Sequence, residues 1–213
     1  MATQSRRGGV PPPLAAKPLR TFRARDAEVV YAHPRAQLAR LERLGALHRT
    51  ARGYYVVVPQ EYVGAAWLPT LEAAAAGIAA ADFGPRNAPL MGISAARLHG
   101  AIPRALGTAV VAAPAQRNGI ALLDRPGTVQ FVKRDTARLD VEAMTTDLGQ
   151  ALVTTPEQTV LDLARRPSLG GAEDEVAAAL GALLPRCDPQ VLEDLAERQH
   201  LGSALDRARA ATT

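Results

Sequence analysis

The sequence predicts an α+β protein: an N-terminal winged helix-turn-helix domain, then an α+β domain with a mainly antiparallel sheet and a helical C-terminal tail. Three observations carry this. Residues 1–59 hold Lys17 and ten arginines against Asp26, Glu28 and Glu42, a net charge of +8, whereas the whole 213-residue chain is only +4. Within that basic stretch the pattern reads helix, turn, helix, hairpin. Beyond residue 60, apolar runs separated by turn dipeptides give way to amphipathic helices. The expected divisions are a disordered tail over 1–9, the winged domain over 10–60 and the α+β domain over 61–213.

In the head, Pro11-Pro-Pro13 opens a short helix over 12–17, closed by Pro18. Residues 20–23 fit a short strand and 24–31 a short helix. The next helix, Pro34–Leu44, is the best punctuated. Proline stands in its first turn, where a missing N–H costs nothing, and Gly45 stands where a helix stops. Leu38, Leu41 and Leu44 recur three apart and mark its buried stripe. Stepping about 100° per residue, Arg35, Ala36, Ala39, Arg40 and Arg43 fall away from that stripe. His33 is expected to cap the helix. Strands over 46–48 and 54–58 flank Arg49-Thr-Ala-Arg-Gly53, which puts Arg49 and Arg52 at the tip of a wing.

A basic helix followed by a basic hairpin is how a winged helix-turn-helix grips a duplex. Alanines on the exposed face let the backbone approach base edges while arginines reach guanine or phosphate. The candidate DNA-binding residues are Arg23, Arg25, Arg35, Ala36, Ala39, Arg40, Arg43, Arg49 and Arg52. One head reads a short stretch of groove. Binding of double-stranded operator DNA therefore calls for two copies on inverted repeats, the chain being a monomer or weak dimer that becomes cooperative on DNA.

Further along, residues 67–81 read as an Ala-rich helix broken by Phe83-Gly-Pro85. Residues 94–99 form a short helix with Ser94 as N-cap and Gly100 as stop. The runs 108–113, 120–123 and 128–132, separated by turns at Asn118-Gly119 and Pro126-Gly127, read as a meander, with 139–144 and 151–153 extending the sheet. Thr155-Pro-Glu-Gln158 is a capping-box sequence that launches a helix over 156–165. Helices over 172–184, 189–198 and 203–210 follow, and residues 136–213 carry a net charge of −6.

Composition narrows the function. Cys187 is the single cysteine and the four histidines are scattered, so neither an internal disulfide nor a cysteine-held zinc is expected, and a reducing cytoplasm suits the chain. The apolar stretch near 71–81 is too short to span a bilayer. A pI of about 9.7, with its charge clustered on one motif, favours nucleic acid over a membrane surface. Ser94 and His99 lack a Gly-x-Ser-x-Gly elbow. Asp140 and Glu142 share a strand face, but Met144 stands where a restriction-type nuclease carries its lysine. Asp162, set among Val160, Leu161 and Leu163, reads as a buried structural carboxylate. No catalytic residue, metal or cofactor is assigned, and the chain reads as a non-enzyme.

Three segments resemble one known family in their order and spacing: Gly45-Ala-Leu-His-Arg-Thr-Ala-Arg-Gly-Tyr-Tyr-Val56, Gly92-Ile-Ser-Ala-Ala-Arg-Leu-His-Gly100 and Thr154–Leu163. They are similar to the AbiEi family of antitoxins from type IV toxin–antitoxin and abortive-infection systems, over nearly the whole chain. Gln158 stands where that family commonly has arginine. The resemblance implies a DNA-binding autorepressor whose C-terminal domain also counters a nucleotidyltransferase toxin encoded in the same operon. The head alone fits equally a stand-alone winged-helix transcriptional regulator with a ligand-sensing C-terminal domain.

Overall fold

A computed structural model describes residues 9–211. The tail expected over 1–9 lies, apart from Gly9, outside the described residues. The head comprises α1 (Pro12–Ala15), β1 (Thr21–Arg23), a 3-10 turn at Ala24–Val29, α2 (Pro34–Arg43), β2 (Leu47–Ala51) and β3 (Tyr54–Val57). Its three strands form an antiparallel sheet in the order β1-β3-β2. Leu38 and Leu41 bury the inner face of α2 against Leu14, Phe22, Leu47 and Tyr55. Leu44, expected in that stripe, is 49% exposed. The helix ends at Arg43, Leu44 is its C-cap, and Gly45 at φ +68 then turns the chain aside. His33 occupies the N-cap but makes no side-chain capping bond. Where a helix was expected over 24–31, only the 3-10 turn forms.

The body begins with α3 (Leu71–Phe83) and α4 (Ile93–Leu98), continues through β4 (Thr108–Ala113), β5 (Ile120–Ala121), β6 (Thr128–Lys133), β7 (Val141–Thr146) and β8 (Gly149–Thr154), and ends in α5 (Pro156–Arg165), α6 (Glu173–Leu183), α7 (Pro189–Arg198) and α8 (Gly202–Ala210). The expected meander is not the topology. β6 lies between β4 and β5, parallel to the first and antiparallel to the second. Turn dipeptides specify where the chain reverses, not which strand it returns to. β7 and β8 form a hairpin, and Leu90 bridges Val111 on β4 and Val153 on β8, stitching the two sheets together.

β4 organises the body through the alternation of its side chains. Val110 and Ala112 face a core shared with α4 to α8, while Ala109, Val111 and Ala113 face a core built around α3. Two local features differ from the expected ones. Ser94 is not the N-cap of α4. Gly92, at φ +55, holds that place, and the buried Ser94 hydroxyl accepts the Val110 N–H at 2.8 Å, tying α4 to β4. The capping box at Thr155 is half formed. Thr155 accepts the Gln158 N–H, but the Gln158 side chain turns away and accepts the Asp140 N–H instead.

The chain passes from head to body near residue 60, but the core does not divide there. Leu19, Ala51, Tyr54 and Val56 of the head sit in the α3 core. Burying Leu19 alone contributes about 1.5–3 kcal/mol. The close approach of β1 to α3 explains Gly77. A Cβ at Gly77 would collide with the buried Thr21 side chain, whose hydroxyl donates to the Leu19 carbonyl at 2.7 Å. Alanine would favour the helix by about 1 kcal/mol, yet overpacking costs about 1–3 kcal/mol. Gly77→Ala is therefore expected to lower stability in urea unfolding, and Thr21→Ala in the same chain to recover most of that loss. A Gly77→Ala chain that is more stable than the parent contradicts this packing.

Candidate functional site

The outward face of α2 carries the arginine and alanine alternation foreseen in the sequence. Arg35, Ala36, Ala39, Arg40 and Arg43 are all exposed, opposite Leu38 and Leu41. Arg49 on β2 and Arg52 in the β2–β3 turn are exposed beside them in the chain's next element. Arg25, on the 3-10 turn, joins Arg35 and His33 around an open groove of about 780 Å³ floored by Ala24, Pro34 and Leu38. Eight of the nine candidate residues are thus exposed, on the 3-10 turn, α2 and the hairpin.

The ninth, Arg23, is placed elsewhere. Its guanidinium lies 2.9 Å from the Asp82 carboxylate and donates twice to the Ala81 carbonyl, at 3.0 and 2.8 Å. Asp82 also accepts the Tyr54 hydroxyl at 2.7 Å and Arg117 at 2.8 Å, and Arg117 donates to the Tyr54 oxygen at 2.7 Å. Burial, with the Asp82 carboxylate beside it, holds the Tyr54 phenol above its ordinary pKa. Arg23 and Asp82 lie on separate elements, and no local pattern around Arg23 announces its partner.

A second seam contact fixes the hairpin. Leu122 bridges Ala51, and the Leu123 N–H donates to the Thr50 carbonyl at 2.9 Å, so the body extends the free edge of β2. Next to it His48 Nε2 lies 2.6 Å from the Asp124 carboxylate, which also accepts two bonds from Arg125. Trp67 meets the His48 ring edge-on, and Tyr62 stacks on Trp67. Burial alone would raise the Asp124 pKa, but the hydrogen bonds from His48 and Arg125 outweigh it and hold the carboxyl below its ordinary value of 3.8.

In the body, Asp162 is the buried carboxylate expected from its apolar neighbours. It is 2% exposed and pairs with Arg134 at 2.8 Å. Burial pushes its pKa up, against the pull of Arg134 and Gln158. Gln158, fully buried, also reaches Gln199, so a neutral side chain links α5 to the C-terminal end of α7, while the cation facing Asp162, Arg134, lies just past the end of β6. His99 Nε2 meets the Thr154 carbonyl at 2.8 Å, which requires a proton on that nitrogen, and Ser94 serves β4. Asp140 accepts the Thr155 hydroxyl at 2.9 Å, and Glu142 lies 3.8 Å from His99 Nδ1. Among the described residues no group of three or more His, Cys, Asp or Glu is gathered to hold a metal. The half-buried Cys187 thiol is pushed up to about 12, chiefly by burial and then by Glu157. No helix among the described residues is long and apolar enough to cross a membrane.

With this geometry in place, the comparisons define the class. Residues 87–210 match the model of the AbiEi antitoxin C-terminal domain, more than half of the chain. The protein belongs to the AbiEi antitoxin family, and its role is that of an antitoxin in a toxin–antitoxin system. No curated protein matches it. Among solved structures, the crystal structure of the RV2827C protein from Mycobacterium tuberculosis superposes with a TM-score of 0.55 at 22% identity, over 90% of this chain and 75% of that one. At that identity the likeness is one of fold. The matched segment starts after α3, so α3 stands between the family domain and the basic head.

The Asp124 geometry has a pH signature. A carboxyl whose pKa is lowered by folding stabilises the fold above its unfolded value, and that contribution is lost as pH falls through the folded value. Asp124→Asn is expected to cost about 1.5–3 kcal/mol at pH 7, the worth of hydrogen bonds to a charged group. It should also flatten the decline in stability below about pH 5. Parallel acid limbs in parent and variant urea titrations would refute this role.

Proposed function

We propose that this antitoxin binds its own promoter DNA through a winged helix-turn-helix head, represses its operon, and uses its body to neutralise a nucleotidyltransferase toxin encoded beside it, as in type IV systems. The observation that carries the DNA reading is the outer face of α2, where three exposed arginines alternate with two exposed alanines. Its order of elements and its β1-β3-β2 sheet suit a winged head, with the 3-10 turn at 24–29 in place of the first helix of the pair. Arg25, Arg49 and Arg52 supply flanking phosphate contacts, whereas Arg23 serves the head–body seam. The toxin's chemistry and the autorepression follow from the family resemblance.

Binding of the fragment upstream of the gene, measured by fluorescence anisotropy at several salt concentrations, tests the reading. Log K should fall linearly with log salt, and Arg40→Ala or Arg43→Ala should each reduce the slope by about one if the residue neutralises a phosphate. An arginine that reads guanine should instead cost about 1–3 kcal/mol and relax specificity. The doubly substituted chain should still relieve the toxicity of the neighbouring gene in a growth assay. Unchanged promoter affinity in both single variants overturns the DNA face. A harmless neighbouring gene, or toxicity never relieved by the parent chain, overturns the toxin partner.

A further inference from the structure

The far end of the sheet carries an open strand edge. Among the described residues, β7 pairs only with β8. The hairpin's hydrogen-bond parity is fixed from the other side. The Leu90 N–H donates to the Leu152 carbonyl and the Thr154 N–H donates to the Leu90 carbonyl, both at 2.9 Å. Leu152 and Thr154 thus turn their backbone groups away from β7. Their register partners Ala143 and Val141, and by the same alternation Thr145, turn theirs away from β8. Natural edges are blunted by proline, lysine, bulges or brevity. β7 has six residues in unbroken register, neither proline nor lysine, and Glu142 as its one charge, whereas β1 at the opposite end has three residues. Glu142, Ala143 and Thr145 are exposed.

We propose that β7 pairs antiparallel with β7 of a second copy of this chain, about a two-fold axis through Ala143. The outward backbone groups at 141, 143 and 145 are symmetric about that residue, so each copy offers the donors and acceptors that the other lacks. In this register Val141 opposes Thr145 of the second copy. Glu142 opposes Met144, with its own twin only diagonally across the pair, so no like charges are directly opposite. One strand pair buries well under the roughly 1,000 Å² that a stable interface needs. The association is therefore weak in solution and grows when something else brings two copies together. On the DNA reading proposed above, on which this last step rests, two half-sites of an operator would do so.

Cysteine cross-linking in the absence of DNA tests the pairing apart from that reading. In the full chain carrying Cys187→Ser, Ala143→Cys places two thiols across the axis at a Cα separation of about 5.5 Å, within disulfide reach. Mild oxidation is expected to give dimer on non-reducing gels at least tenfold faster than Ala177→Cys, an exposed position on α6. Adding Thr145→Pro removes an outward N–H while sparing the β7–β8 ladder, and should slow the Ala143→Cys reaction without a loss of thermal stability. Equal rates for the two cysteines overturn the proposal, as does a proline variant that folds and cross-links undiminished. Loss of toxin capture by Thr145→Pro, with no preferential cross-linking at Ala143→Cys, would put a different chain on this edge and overturn it as well.

Discussion

The arrangement of this molecule turns on the Asp82 carboxylate at the end of α3. Its side chain is 5% exposed and gathers Arg23 from β1, Tyr54 from β3 and Arg117 from the loop between β4 and β5. A carboxylate so far from water is costly unless its partners are correctly placed. All three partners can reach it only when head and body are docked. The cluster therefore acts less as a source of net stability than as a constraint on orientation, while the apolar contacts of Leu19, Ala51 and Val56 in the α3 core supply the stabilising area.

That constraint matters for the two tasks proposed for this antitoxin. The head does not hang from a linker. β2 is extended by Leu122 and Leu123, and the hairpin is further held through His48 and Asp124. The arginine face of α2 therefore keeps a fixed attitude to the family domain. Removing residues 1–60 to isolate the body would strip side chains from a shared core and expose the edge that β2 covers. Substitutions on the α2 surface separate the two tasks more cleanly than truncation.

The sequence made the α2 face legible because helical period and punctuation are local. Pro34, Gly45 and the leucines at 38 and 41 set the phase, and the exposed residues followed from it. The limits were equally physical. Leu44 continued the leucine spacing but fell past the last helical turn. His33 looked like a cap, yet its side chain makes no capping bond. Asn118-Gly119 and Pro126-Gly127 located reversals without revealing that β6 would insert between β4 and β5. Ser94 fitted an N-cap, but a neighbouring glycine with positive φ took that place, leaving the hydroxyl to bind β4. Arg23 shared the head's charge while its partner lay 59 residues away on α3, a pairing that no window of sequence contains. Asp162 was readable because its sequence neighbours Val160, Leu161 and Leu163 are apolar, whereas its partner Arg134 lies 28 residues away.

The claim most open to direct test is that head and body unfold as one unit. Native-state hydrogen exchange of the full chain, followed by residue, measures it. The amides of β3 in the head and of α3 in the body should exchange with the same opening free energy, equal to the global value from urea unfolding. If β3 exchanged through an opening several kcal/mol cheaper than that of α3, the head would be an independent module and the account of the seam would fail.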